Sequence, residues 1–339
     1  MSLEGVFQKI EQAIKRDLTP SEKDCYQNDF GDKLSQIAQG LMTNANIQRL
    51  HFKVASKIKT KTATRLQGKY HFDGLIPGAS GQGNSTLQFA FHGTSLYCAK
   101  ISTPSRILPE ISVGTQLSEG QVCPTVMPVI DSVQIDSERM AMITPYYPLD
   151  VSALDLRNSP ETVTNVAVCG LASVKAFSSK KICHADIKPS NMMLEGARGK
   201  AVVMIDFGSS VPYGESITEL SFPFGLDCSP KGSLEYDMTC LAVSIVHTMT
   251  STNDPLREEV TRAGLLRAIG NPKNIALKVA RDCLTVGKSI DQIWEEAKEL
   301  IESQFGNAEW LVDLENIWPQ TTRRAVSLNL NANKMKDYV

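Results

Sequence analysis

Eight consecutive residues, His184-Ala185-Asp186-Ile187-Lys188-Pro189-Ser190-Asn191, constrain this chain more than any other stretch. They set a carboxylate, an ammonium two positions on and a carboxamide within one loop-length segment. Asp206-Phe207-Gly208 follows fifteen residues after Asn191, the interval a short β-hairpin needs to return a second carboxylate beside the first. Upstream, Ser159-Pro160-Glu161 has the form of a helix start, with Ser as N-cap and Pro at the first helical position. Val163, Val166, Ala167, Leu171, Val174 and Phe177 then make an apolar stripe that runs directly into the octapeptide.

These two motifs resemble the catalytic loop and the Mg²⁺ loop of the protein kinase superfamily. The resemblance implies phosphoryl transfer from ATP, in which the phosphates and Mg²⁺ are clamped and the attacking hydroxyl is aimed in line. On that reading Asp186 orients the substrate hydroxyl and accepts its proton late. Lys188 contacts the γ-phosphate and neutralises charge moving to the leaving oxygen. Asn191 and Asp206 hold Mg²⁺, which needs few protein ligands because phosphates and waters complete its octahedron. Lys100, in Tyr97-Cys98-Ala99-Lys100-Ile101, stands where the family places a lysine on the α- and β-phosphates. Its carboxylate partner is Glu110, with Glu119 the alternative; Val113 and Leu117 follow Glu110 on one helical face. The Gly-rich turn takes Gly81 and Gly83 as its first two glycines, or Gly78 and Gly83 as the outer pair around Ser80. At Thr144-Pro145-Tyr146-Tyr147 the adenine would meet the Pro145 carbonyl and the Tyr147 N–H, since Pro145 has no N–H of its own. Asp237 resembles the family's buried aspartate that holds the catalytic-loop backbone.

The pattern of hydrophobicity agrees with an α+β, bilobal protein-kinase-like fold. Strands are expected over 70–76, 86–92, 95–102, 127–135 and 139–144, with one helix over 109–118. Beyond residue 150 the chain reads as mainly helical, with helices expected around 234–249, 255–268, 274–285, 290–305 and 308–317. The expected division is an N-terminal extension over 1–66, an N-lobe over 67–147 and a C-lobe over 148–339.

The extension carries amphipathic helices over 4–18 and 31–43 that pack on the kinase lobe or bind a regulatory partner. Lys57-Ile58-Lys59-Thr60-Lys61 alternates as an exposed edge strand does. Asp29-Phe30-Gly31 copies the later tripeptide but has no catalytic loop upstream and is read as coincidence.

Two departures bear on activity. Ala185 replaces the Arg that in the family binds an activation-loop phosphate, so activity is expected not to depend strongly on one. Ser229-Pro230-Lys231 replaces the Ala-Pro-Glu closing motif and reverses its charge, which weakens the case for peptide recognition more than for ATP binding. Lys188 resembles the Ser/Thr-directed type, so the expected activity is an ATP- and Mg²⁺-dependent Ser/Thr protein kinase with a protein substrate. The alternatives are a nucleotide-binding pseudokinase scaffold and a small-molecule kinase of the same fold.

A net charge of −2 over 339 residues argues against a general nucleic-acid binder. No apolar run approaches a membrane span, and the first residues lack the basic and apolar blocks of a signal peptide. None of the eight cysteines forms a C-x-x-C pair, so free buried thiols in a reducing, cytoplasmic setting are expected.

Overall fold

The computed structural model describes residues 2–18, 20–62, 70–76, 85–119, 123–154, 156, 159–195, 201–218, 224–249, 261–306, 308–309 and 311–317, without the side chains of 20, 21, 24, 55–62, 315 and 316. The chain divides into two compact units. One comprises 1–103 with 133–143, the other 104–132 with 144–339.

The first unit opens with four helices, α1 (Leu3–Ile14), α2 (Pro20–Asp29), α3 (Gly31–Ala38) and α4 (Asn44–Thr62). Apolar residues at helical spacing on α1, Val6, Phe7, Ile10 and Ile14, meet Tyr26, Ile37, Ile47, Leu50 and Val54 in a core of their own. Ser2 caps α1 by accepting from the Gly5 N–H, and Lys15 ends it in the left-handed region at φ 57°. The sequence reading missed α2, whose polar composition gives no amphipathic stripe. Residues 57–61 are the last turns of α4, not an edge strand. Lysine is a good helix former, and an already nucleated helix extends through a short alternating stretch at little cost. Asp29-Phe30-Gly31 is the joint between α2 and α3, with Phe30 in the N-cap position of α3.

The same unit carries most of an antiparallel five-stranded sheet of order β1-β2-β3-β5-β4. Its strands are β1 (His71–Leu75), β2 (Thr86–His92), β3 (Ser95–Ser102), β4 (Asp131–Gln134) and β5 (Met140–Pro145). Gly93, at φ 60°, makes the β2–β3 turn where a side chain would be strained. The rings of Phe52 on α4 and Phe89 on β2 meet edge to face at 5.4 Å between centroids, so α4 packs on the sheet.

The second unit is mainly helical. Its first helix, α5 (Pro104–Ser118), starts a turn and a half before the expected Pro109, which lies inside it. Pro104 takes the favoured first position, while Pro109 removes only the bond that the Ser105 carbonyl would have accepted. After it come α6 (Pro160–Ser179), the short strands β6 (Ile182–Cys183), β7 (Met192–Glu195), β8 (Ala201–Met204) and β9 (Val211–Pro212), and α7 (Leu234–Met249). The end is α8 (Arg262–Ile269), α9 (Ile275–Cys283), α10 (Ile290–Phe305) and α11 (Leu314–Ile317). Among the described residues of the helix expected over 308–317, the final four are helical.

Helix α6 is buried on nearly every face and forms the axis of this unit, against α7, α9 and β8. Gly170 lets α7 approach: a Cβ there would lie 2.4 Å from Leu241 Cδ1. Ser159 occupies the N-cap position of α6 but makes no side-chain cap. No described helix is long and apolar enough to cross a membrane.

Candidate active site

The hairpin of β7 and β8 explains the interval between the two motifs. Met192 pairs with Met204, so Asn191 and Ile205 face each other at its open end, joined by Ile205 N–H donating to Asn191 O at 3.0 Å. Asp206 is the next residue, and it is held at φ 64°, a left-handed conformation that a non-glycine residue adopts only when its surroundings impose it.

Within the octapeptide three side chains converge. Lys188 Nζ donates to Asp186 Oδ2 at 2.8 Å. Asn191 Nδ2 donates to the same oxygen at 2.8 Å and to the Asp186 carbonyl at 2.9 Å. Asp186 is 7% exposed, so two donors fix a nearly buried carboxylate. The Asn191 amide spends its N–H groups on Asp186 and keeps Oδ1 as its acceptor.

The loop backbone is held from below. Asp237, fully buried near the start of α7, accepts from His184 N–H at 2.8 Å and from Ala185 N–H at 3.0 Å. Cys183 Sγ donates to it at 3.2 Å. Burial pushes the Asp237 carboxyl above its usual range, and the two backbone donors pull it back. Ala185 sits at φ 64°, so the Asp237 clamp restrains a strained residue just before Asp186. His184 accepts the Asp186 N–H on Nδ1 at 3.3 Å, leaving Nε2 to donate to Ile205 O at 3.0 Å. One imidazole therefore ties the first motif to the second. Its ring packs with Phe177 of α6 and with Phe207, the three centroids lying 5.2–6.1 Å apart.

Glu110 of α5 is buried at 4% exposure, and its Oε1 lies 3.2 Å from where a Cβ on Gly208 would be. Asp206 Oδ1 lies 3.3 Å from the same point, so only glycine lets these two carboxylates flank the loop closely. Glu119, the alternative, is exposed, and its carbonyl accepts from Lys180 Nζ. Gly114 brings α5 against the same loop: a Cβ there would lie 3.4 Å from Phe207 Cε2.

Lys100 is half-buried on β3, opposite Leu87 of β2. Thr144 is buried at the end of β5, with Pro145 and Tyr147 half-buried beyond it. Burial raises the Tyr147 phenol, so it stays protonated. Gly78, Gly81 and Gly83 lie outside the described residues.

The segment after Asp206 folds back on itself, a feature the sequence reading did not find. Ile217 N–H donates to Pro230 O, Gly232 N–H to Glu215 O and Gly214 N–H to Gly232 O. Gly232 is required there, because a Cβ would lie 2.7 Å from Pro212 O. The altered Ser229-Pro230-Lys231 thus forms one side of a compact pairing. The glycines at 214 and 232 were its only sequence signal.

The donor set fits a magnesium–nucleotide site. Asn191 Oδ1 and the Asp206 carboxylate are hard oxygen ligands at one end of one hairpin. Among the described residues no group of three or more His, Cys, Asp or Glu is placed to hold a metal alone. All eight cysteines are free thiols, six of them buried, and burial pushes Cys169 up to about 12.

No family model matches the sequence, and no curated protein matches it. Among solved structures it is similar to the kinase PK-1 of Cydia pomonella granulovirus, at a TM-score of 0.53 and 15% identity. The match covers 74% of this chain and 99% of that one. The fold is protein-kinase-like, with a five-stranded antiparallel sheet and a mainly helical part.

Proposed function

We propose that this chain is an ATP- and Mg²⁺-dependent protein kinase that transfers a phosphoryl group to Ser or Thr hydroxyls of proteins. The observation that carries the reading is the Asp186 carboxylate, held by Lys188 and Asn191 at the open end of the hairpin that also presents Asp206.

Asp186 is the group for the substrate hydroxyl. Two donors on Oδ2 fix its orientation, which suits a carboxylate that aims the hydroxyl and takes its proton late. Lys188, already beside that oxygen, is the cation for the phosphoryl group being transferred. Asn191 and Asp206 are the ligands for Mg²⁺, with Lys100 on the α- and β-phosphates. The bound Mg²⁺–nucleotide supplies the phosphoryl group and the neutralising charge. Asp237 and His184 keep the two motifs in register, so positioning costs nothing at the moment of reaction.

The test is transfer of label from ATP with Mg²⁺, comparing the wild type with Asp186→Asn. A generic basic protein and the chain itself serve as substrates. Incorporation on Ser or Thr, reduced at least ~100-fold in the variant, is expected for one removed catalytic group. Absence of label from both, with Mg²⁺-dependent thermal stabilisation by ATP, would establish the pseudokinase reading instead. Label entering only small hydroxyl compounds would establish the small-molecule reading, against which Lys188 speaks.

A further inference from the structure

A second polar site lies in the helical unit, at the end formed by the loop before α9, α9 itself and the turn into α10. It is a cavity of about 320 Å³ lined by Lys278, Arg281 and Lys288, one carboxylate, Asp282, and the side chains of Asn271 and Thr285. None of these residues takes part in the catalytic proposal.

The two lysines are fixed in place. Lys278 Nζ lies 2.9 Å from Asp282 Oδ2 and 3.1 Å from Glu296 Oε2. Lys288 Nζ lies 3.0 Å and 2.7 Å from the same two oxygens. Asp282 is 7% exposed, so it anchors both ammonium groups from within. The lysines in turn hold the Glu296 carboxyl below its usual range. Each ammonium has three donors and spends two on these carboxylates, leaving one.

Arg281 differs from both. Its Nη1 donates to the neutral Asn271 Oδ1 at 3.2 Å, and among the described residues it meets no carboxylate. A guanidinium has five donors in a planar fork, and this one uses a single N–H. The cluster therefore carries three cations against two anions, Asp282 and Glu296, a surplus of one positive charge at a rim whose geometry is set in advance.

From this we infer that the cavity is a binding site for a phosphate monoester. A phosphate monoester carries close to two negative charges near neutral pH and three acceptor oxygens. Its three oxygens match the Arg281 fork and the one remaining donor on each lysine. A carboxylate, with two oxygens, would leave one of the three cationic groups without an acceptor. The site needs neither ATP nor turnover, so it stands whether or not the catalytic reading does.

The experiment titrates O-phosphoserine, at constant ionic strength, into the full isotope-labelled chain while amide NMR signals are followed. Saturable movement of signals over 271–288 is expected in the wild type. Arg281→Gln should need at least about tenfold more ligand, the scale for losing a charge-assisted pair. Arg281 is the residue to change because it lies outside the ion pairs around Asp282, so the variant keeps that anchor. Unchanged signals over α1–α4 and an unchanged melting temperature check that the fold is intact. Arg281→Lys should recover part of the affinity. The inference is overturned if the 271–288 signals do not move, if they move without saturating, or if Arg281→Gln responds as the wild type does. It is equally overturned if acetate at the same ionic strength produces the same movement.

Discussion

Two buried histidines, His184 and His51, solve the same problem in opposite ways. Each sits within hydrogen-bonding reach of partners on both ring nitrogens. His184 accepts on Nδ1 and donates from Nε2, and both partners are backbone groups at the open end of the hairpin. His51 lies 2.9 Å from Arg16 Nη2 through Nε2, and since arginine only donates, that nitrogen is the acceptor. Its proton is therefore on Nδ1, 3.1 Å from Tyr26 Oη. Here the partners are side chains 35 and 25 residues away. Arg16 is in turn held by both carboxylate oxygens of Glu22, at 2.6 and 3.0 Å. The difference teaches where polar order comes from. The His184–Asn191 loop is ordered through its own main chain, which Asp237 and the end of the hairpin hold. The helical extension is ordered by side chains that meet only after the helices have packed.

The comparison is most severely tested at Asp237. Asp237→Ala leaves the buried His184 and Ala185 N–H groups without their acceptor, at about 1–3 kcal/mol each. Denaturant unfolding should show a loss of roughly 2–6 kcal/mol, and on the proposed function phosphoryl transfer should fall with it. A full-activity Asp237→Ala chain would mean that the loop does not depend on its backbone clamp.

The second test is pH. Burial lowers His51 to about 4 from its ordinary 6.5, with Glu22 pulling it up and Arg16 pushing it down. The unfolded chain takes up a proton below about 6.5 and the folded chain does not until about 4. The stability tied to neutral His51 is thus complete above pH 6.5 and is lost as pH falls towards 4. The total is about 3 kcal/mol. The measurement is the stability of wild type minus His51→Gln across that window, which should slope in this sense. A flat difference would show that the extension does not hold its histidine neutral. Arg16→Met should sharpen the point by moving the His51 titration upward, because Glu22 Oε1 lies only 3.5 Å from its Nε2.

Gly114→Ala probes how α5 is pressed on the loop. The new Cβ would lie 2.4 Å from Val129 Cγ2, a clash expected to cost about 1–3 kcal/mol of stability. Thermal melts would read it, and no change would show slack in the packing beside Phe207.

The smallest effect separates a helix start seen in sequence from one made in structure. Ser289 caps α10 in a full capping box with Gln292, so Ser289→Ala should cost about 1 kcal/mol. Ser159 makes no cap bond, so Ser159→Ala should lie within about 0.5 kcal/mol of wild type. Equal losses would remove the distinction.

Much of the fold was legible because its signals are local. The start of α6, the boundaries of α7 and the strands at 86–92 and 95–102 followed from apolar periodicity, the Ser-Pro helix start and turn residues. The convergence of Asp186, Lys188 and Asn191 was legible for the same reason, since one short loop carries all three. Helix α2 was not, because its burial rests on Cys25 and Tyr26 alone among apolar residues. The end of α4 misled because five alternating residues carry a strand's period whatever precedes them. The start of α5 misled because either of two prolines suits a helix start.

By itself, the sequence determined which residues the loop brings together and how far apart the two motifs lie, because hairpin register and loop length are properties of a few adjacent residues. Only the tertiary structure decided that Glu110, not Glu119, lies buried beside Gly208, that Asp237 carries the loop, and that Arg16, Glu22, Tyr26 and His51 form one network. Those contacts join residues far apart in the chain, and their geometry exists only once packing has removed the alternatives and the water.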